Sequence, residues 1–201
     1  HTFNGENHDV WDKVGQAIGN LQSLETLYIS SRHDEYDDEE DYSDEDEDSP
    51  IPDWEILARI LRHMRQSSAV IINDVRLRTI EEVQPFARAI RGHPFITDLH
   101  DGGRFPYESL NTLFSTLATL PALESVSFGA TEVRQADEST LAYPESLTEL
   151  LRVPTLRSVQ FKNFSFTHAL FKATANAFID GTAITNLKFE TCSFPAGECA
   201  A

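Results

Sequence analysis

Two groups of residues in this sequence combine side-chain type and spacing in a way that carries chemistry. His100, Asp101, Gly102 and Gly103 set an imidazole and a carboxylate beside a glycine pair. That is the make-up of a ligand loop, since glycine lets backbone approach a bound group closely. The same four residues also make an ordinary turn at an irregular strand end, and that reading carries more weight. The second group is the run DEYDDEEDYSDEDED at 34–48, which holds 12 of the 33 acidic side chains. Like charge at this density resists packing, so the run is expected to be a hydrated, disordered loop. A docking loop for a basic partner and weak calcium binding are lesser readings. An EF-hand loop needs a glycine at its turn, and the run has none. Ser43, followed by Asp44, Glu45 and Asp46, has the acidic surroundings of a phosphorylation site. A phosphate there would alter partner affinity more than folding.

Beyond these groups the sequence holds no H-E-x-x-H, G-x-S-x-G, phosphate-binding glycine loop or C-x-x-C. No catalytic residue, cofactor or metal is therefore expected, and the chain reads as a non-enzyme. Asn163, Phe164 and Ser165 form a glycosylation triplet, relevant only to a secreted chain. Cys192 and Cys199 are too few for a disulfide framework and lack the partners of a zinc site. A reducing, intracellular setting, cytoplasmic or nuclear, fits them. Cys192 is expected to pack as a small buried hydrophobe. Outside the acidic run 21 acids face 16 bases. Nucleic-acid binding through a basic patch is thus disfavoured. No apolar stretch reaches the roughly 18 residues needed to span a bilayer.

The elements that would position any site follow from a repeat. Six segments fit the spacing L-x-x-L-x-L: Leu24, Leu27, Ile29; Ser67, Val70, Ile72; Ile96, Leu99, Asp101; Leu123, Val126, Phe128; Leu156, Val159, Phe161; and Ile184, Leu187, Phe189. Their starts lie 43, 29, 27, 33 and 28 residues apart, a base period of about 28 with two insertions. The first insertion is the acidic run. The second falls near residues 134–139. Two further positions test this register independently. Six residues before the starts stand Ile18, Leu61, Ile90, Leu117, Leu150 and Phe178, and thirteen before stand Trp11, Trp54, Val83, Leu110, Tyr143 and Phe171. All twelve are apolar or aromatic, and their separation of seven is two helical turns. Small residues at the offset of nine, Gly15, Ala58, Ala87 and Ala175, are expected to let each helix approach the strand layer.

A helix and a short strand in under 30 residues require parallel strands joined by crossovers, each unit burying its stripe on the next. The fold class is α/β: a solenoid with parallel strands on a concave face and helices on a convex one. The segments LESVSFGATEV, from Leu123, and ITNLKFETCSF, from Ile184, resemble the ribonuclease-inhibitor-like class of leucine-rich repeats, with Cys192 at that family's Asn-or-Cys position. Val75, Arg104, Thr131 and Phe164 stand there in other repeats. The resemblance implies a horseshoe arc and a binding scaffold. The chain reads as one domain over 1–201 of about six repeats, with a disordered acidic insertion at 33–50 and both ends cut from a longer solenoid. The last strand, left as an edge, is expected to fray or self-associate.

In such an arc the side chains between the buried ones point into the concavity. They form an expected central row of Tyr28, Ile71, His100, Ser127, Gln160 and Lys188, with Thr26, Ala69, Asp98, Ser125, Ser158 and Asn186 beside it. This mixed, mostly uncharged surface is the candidate site for another protein. Two other readings stand beside it: the acidic run as regulator or chaperone of a basic protein, and the repeats as recognition arm of a larger receptor or enzyme.

Overall fold

The computed structural model describes residues 8–21, 24–30, 54–64, 69–73, 77, 79–100, 109–129 and 144–194. Helix and strand alternate through six units: α1 (His8–Gly19), β1 (Thr26–Ser30), α2 (Trp54–His63), β2 (Ala69–Asn73), α3 (Ile80–Ile90), β3 (Ile96–His100), α4 (Leu110–Leu117), β4 (Ser125–Gly129), α5 (Pro144–Leu151), β5 (Ser158–Lys162), α6 (His168–Ile179) and β6 (Asn186–Glu190). The strands form one sheet in sequence order, parallel at every step. Helices pack on their sequence neighbours, giving the expected α/β repeat arc with strands on the concave side and helices on the convex side. The acidic insertion 33–50, residues 134–139, Tyr143 and the side chains of Trp11 and Trp54 lie outside what is described.

The apolar stripes of the middle helices do the packing assigned to them, while Ile18, Phe171 and Phe178 are half-buried. Leu110, Leu113, Phe114 and Leu117 on α4 are all fully buried, as are Val83 and Ile90 on α3 and Leu150 on α5. Across the sheet the core side runs Ile29, Ile72, Leu99, Val126, Val159, Leu187. Beside it stand Phe128, Phe161 and Phe189, with ring centroids 5.8 and 5.6 Å apart. Phe164 and Phe166 join the same aromatic cluster, 5.3 and 5.1 Å from Phe161. Phe164, where the sequence resemblance called for Asn or Cys, is buried and fills the place by packing. Cys192, at the same place one unit on, is half-buried and packs against the hydrophobic core, with its thiol 3.4 Å from the Phe161 carbonyl oxygen.

Two further expectations change. The register slips by one residue between β2 and β3: Val70 pairs with Ile96 but Ile71 pairs with Asp98, so Thr97 is an extra residue in β3. Ile72 stands beside Leu99, two residues along from the Val70 that the sequence register placed there. The slip falls between the two units whose motifs carry Ser67 and Asp101 in place of apolar residues. The second change concerns Gly15. A Cβ there would meet the His63 ring at 3.0 Å, the Ile60 Cα at 3.1 Å and the Arg59 carbonyl at 3.2 Å. The surface that Gly15 approaches is the next helix, not the strand layer. An ion pair from Arg59 to Asp12, 2.9 Å long, crosses the same α1–α2 contact.

Turns between units are stapled by side chains. The Gly92 N–H donates to Thr119 Oγ1 at 2.9 Å, and His93 Nε2 lies 3.1 Å from the Leu61 carbonyl oxygen. The Phe95 N–H donates to His93 Nδ1 at 3.4 Å. Making both imidazole bonds at once requires a neutral ring, with Nε2 as donor and Nδ1 as acceptor. Burial pushes the His93 pKa below its ordinary value, opposed in part by the Leu61 carbonyl. A basic group with a depressed pKa leaves the unfolded chain binding more protons than the folded one. Its contribution is therefore fully present above about pH 6.5, the ordinary histidine value, and is lost as the pH falls below it. In urea melts from about pH 7.5 to 5, above the carboxylate range, His93→Gln should remove part of the wild-type loss of stability. Parallel pH profiles for the two proteins would refute this.

Candidate concave binding face

Strand alternation turns every second side chain away from the core, and the register decides which of them share a row. One row runs Tyr28, Ile71, Asp98, Ser125, Ser158, Asn186, and the next runs Asn73, His100, Ser127, Gln160, Lys188. The expected central row is thus split at the β2–β3 slip. Tyr28 and Ile71 belong with Asp98, Ser125, Ser158 and Asn186, while His100, Ser127, Gln160 and Lys188 continue a row that includes Asn73. Thr26 and Ala69 pair one step further along the strands. Asn73 is brought in by the slip. Glu190 and Lys162 form a third short row with Gly129, which continuing the strand alternation by two residues would have found.

Exposure separates these residues further. Tyr28 is 66 % exposed and Ser127 is 1 % exposed. Asn186 and Lys188 are exposed, and Thr26, Ala69, Ile71, Asp98, His100, Ser125, Ser158 and Gln160 are half-buried. Ser127 was expected to be free for a partner and is not. Its short side chain stands in register between the longer His100 and Gln160, on strands about 4.8 Å apart.

The face falls into three chemical zones. At the β1–β2 end Tyr28 and Ile71 make an aromatic and aliphatic patch. In the middle, His100 Nε2 lies 3.8 Å from Asp98 Oδ1, an ion-pair distance rather than a hydrogen bond. The imidazole beside Asp98 holds its carboxyl below the usual carboxylate range, although partial burial acts the other way. At the β5–β6 end, the Lys188 ammonium and the Gln160 amide both donate to Glu190 Oε2, at 2.8 and 2.9 Å, and Lys188 holds the Glu190 carboxyl below its ordinary range. Asn186 donates to Ser158 Oγ at 3.2 Å. Asp101, Gly102, Gly103 and Cys199, considered earlier for a site, lie outside the described residues. No group of three or more His, Cys, Asp or Glu placed to hold a metal occurs among the described residues. Asn163, of the glycosylation triplet, is exposed at a positive φ of 49°, while Phe164 is buried.

On the convex side a shallow groove between α5 and α6 is lined by Glu145, Thr148, Arg152, Lys172 and Asn176, with Arg152 paired to Asp180. Its charges are mixed.

No protein-family model matches the sequence, and no curated protein is significantly similar to it. Solved structures are similar in fold. The leiomodin-1 actin-binding site 2 domain superposes with a TM-score of 0.50 at 11% identity, covering 88% of this chain and 89% of that one. The tropomodulin C-terminal domain of Caenorhabditis elegans gives a TM-score of 0.47 at 10% identity, with 86% and 93% covered. At such identity the first likeness is one of architecture. None of the described helices is long and apolar enough to cross a membrane.

Proposed function

We propose that this chain is a protein-recognition module, a non-enzyme of the ribonuclease-inhibitor-like leucine-rich-repeat class, whose partner seats on the concave sheet. The observation that carries this reading is Tyr28: a tyrosine 66 % exposed beside Ile71, at one end of a face whose other side chains are mostly polar. Tyrosine is among the commonest hot-spot residues of protein interfaces, since it gives large contact area for little lost rotamer freedom. The polar rows beside it supply orientation, through Asp98 and His100 in the middle and Gln160 and Lys188 at the far end. A period of about 28 with one helix per unit supports the class. The half-buried free thiol of Cys192 agrees with a reducing, intracellular setting.

Actin is the first partner to try, because the name of the leiomodin-1 domain assigns actin binding to that protein. The general test places photo-crosslinkers at Ile71 and Gln160 on the concave face and at Arg88 and Lys172 on the helices. Adducts with a purified partner are expected from the concave positions. Tyr28→Ala should weaken that binding about tenfold or more, and Gln160→Ala or Lys188→Ala by less, in line with interface truncations generally. A partner that crosslinks from the helices and is indifferent to Tyr28→Ala would overturn the reading.

A further inference from the structure

One imidazole controls the entry to β3. The His93 ring stands between the end of α2 and the residues leading into that strand: Nε2 donates to the Leu61 carbonyl oxygen at 3.1 Å, and Nδ1 accepts the Phe95 N–H at 3.4 Å. The Phe95 ring meets the imidazole edge to face at 5.8 Å. The Phe95 carbonyl in turn accepts the Val70 N–H at 2.8 Å, the bond that opens the β2–β3 ladder. Phe95 is thus held by His93 on one side and by β2 on the other. Two residues on stands Thr97, the extra residue of the register slip, and next come Asp98, Leu99 and His100.

A proton on the ring cannot be accommodated in this arrangement. An imidazolium has two N–H donors and no acceptor, so Nε2 keeps the Leu61 carbonyl while Nδ1–H faces the Phe95 N–H, donor against donor. The surrounding charges do not offset this. Among the described residues α2 brings Arg62 and His63 in its last turn, and α3 brings Arg88 and Arg91 at its end, while Glu81 and Glu82 lie in the first turn of α3, at the far end. The turn after α4, whose Thr119 hydroxyl accepts the Gly92 N–H, has no ionisable side chain before Glu124, and β2 has none. On β3 Asp98 and His100 pair with each other. We infer that His93 is a proton-operated latch on the entry to β3: neutral, it ties Phe95 to α2, and charged, it releases residues 93–97 while the rest of the sheet stays closed. Local opening of this kind is confined because β4 and β5 keep their own buried cores, Val126, Phe128, Val159 and Phe161. Since β3 supplies Asp98 and His100 to the concave face, a partner seated there is bound less tightly below neutral pH. That consequence rests on the proposed function, whereas the latch itself does not.

Amide exchange of the full chain from about pH 7.5 to 5.5, above the carboxylate range and corrected for the intrinsic pH dependence of exchange, tests the latch. A histidine that takes up its proton near the ordinary value of about 6.5 only in the open form raises the open fraction by up to about tenfold at pH 5.5. Protection at Phe95 and Val70 should therefore fall several-fold, towards that limit, while protection at Val126 and Val159 changes by less than about twofold. In His93→Gln, which cannot charge, the difference between the two pairs of amides should no longer depend on pH. Nitrogen-15 shifts of the wild-type ring at neutral pH should place its proton on Nε2, a readout that needs no variant. A proton on Nδ1, pH-independent protection at Phe95, an equal fall at Val126 and Val159, or a fall that persists in His93→Gln and disappears in His63→Gln or His100→Gln would each overturn the latch. A partner that crosslinks from the helices would overturn the concave-face reading and leave the latch standing.

Discussion

Phe161→Ala is expected to reduce the stability of the chain by about 3–5 kcal/mol, the range for removing a large aromatic from a closed core. Phe161 is fully buried and stands among four other rings: Phe128 at 5.8 Å, Phe164 at 5.3 Å, Phe166 at 5.1 Å and Phe189 at 5.6 Å. Truncation therefore removes dispersion contacts on every side and leaves a void between strands whose backbone hydrogen bonds hold them apart. In a solenoid each unit is stabilised by its neighbours, and β5 serves both β4 and β6, so two interfaces weaken together. The control is Phe189→Ala in the same column. That ring is 40 % exposed, so its removal opens the surface rather than creating a cavity, and the loss should be less than half as large. Urea midpoints of both variants, measured at one low protein concentration to exclude association, decide the matter. Equal shifts would show that the phenylalanine column does not act as an interior stack.

The sequence made the repeat legible wherever side-chain burial alone defines it. Four units, from Leu24, Leu123, Leu156 and Ile184, keep the apolar spacing, and β1–β2, β4–β5 and β5–β6 pair in the register that spacing predicts. The error lies between β2 and β3. Ser67 and Asp101 marked a fault in those units without locating it. Ile72 rather than Val70 stands beside Leu99, a shift of two residues that keeps the same side chains toward the core and changes only who faces whom, while Thr97 is the one extra residue between this pair and the Val70–Ile96 pair. Register is a relation between strands, and apolar periodicity within one strand is blind to it.

Ser127 shows a second limit. Alternation assigned it to the concave side, but burial there depends on the side chains of β3 and β5 on either hand. Phe164 shows a third: at a position where the family pattern calls for Asn or Cys, it reads as a departure, yet it joins the aromatic cluster around Phe161. The candidate site was thus legible as a set of residues and illegible as a pair of rows. That difference matters for function, since moving Tyr28 and Ile71 into line with Asp98 and Ser125 changes which polar groups flank the aromatic anchor.

Gly15 and Gly19, four residues apart on one stripe of α1, set the largest expected effect at the other end of the arc. A Cβ on Gly19 would lie 2.1 Å from the carbonyl oxygen of His63, far inside van der Waals contact, and the obstacle is backbone at the end of α2 rather than a side chain able to swing away. Gly19→Ala therefore forces α1 off α2. Overpacking commonly costs about 1–3 kcal/mol, and a backbone obstacle places this change at the top of that range. The penalty is local, because among the described elements the main contacts of α1 and β1 are with α2 and β2. Hydrogen exchange should accordingly show the amides of β1 opening faster in Gly19→Ala while those of β4 and β5 keep their protection. Gly92→Ala is the informative contrast: its φ is +65° and nothing lies within 4 Å of the added Cβ. That change costs roughly 1–2 kcal/mol of backbone strain and no displacement of a neighbouring helix. Unchanged exchange at Thr26–Ser30 in Gly19→Ala would mean that α1 and α2 sit further apart than this contact requires, and that glycine at position 19 does not set their approach.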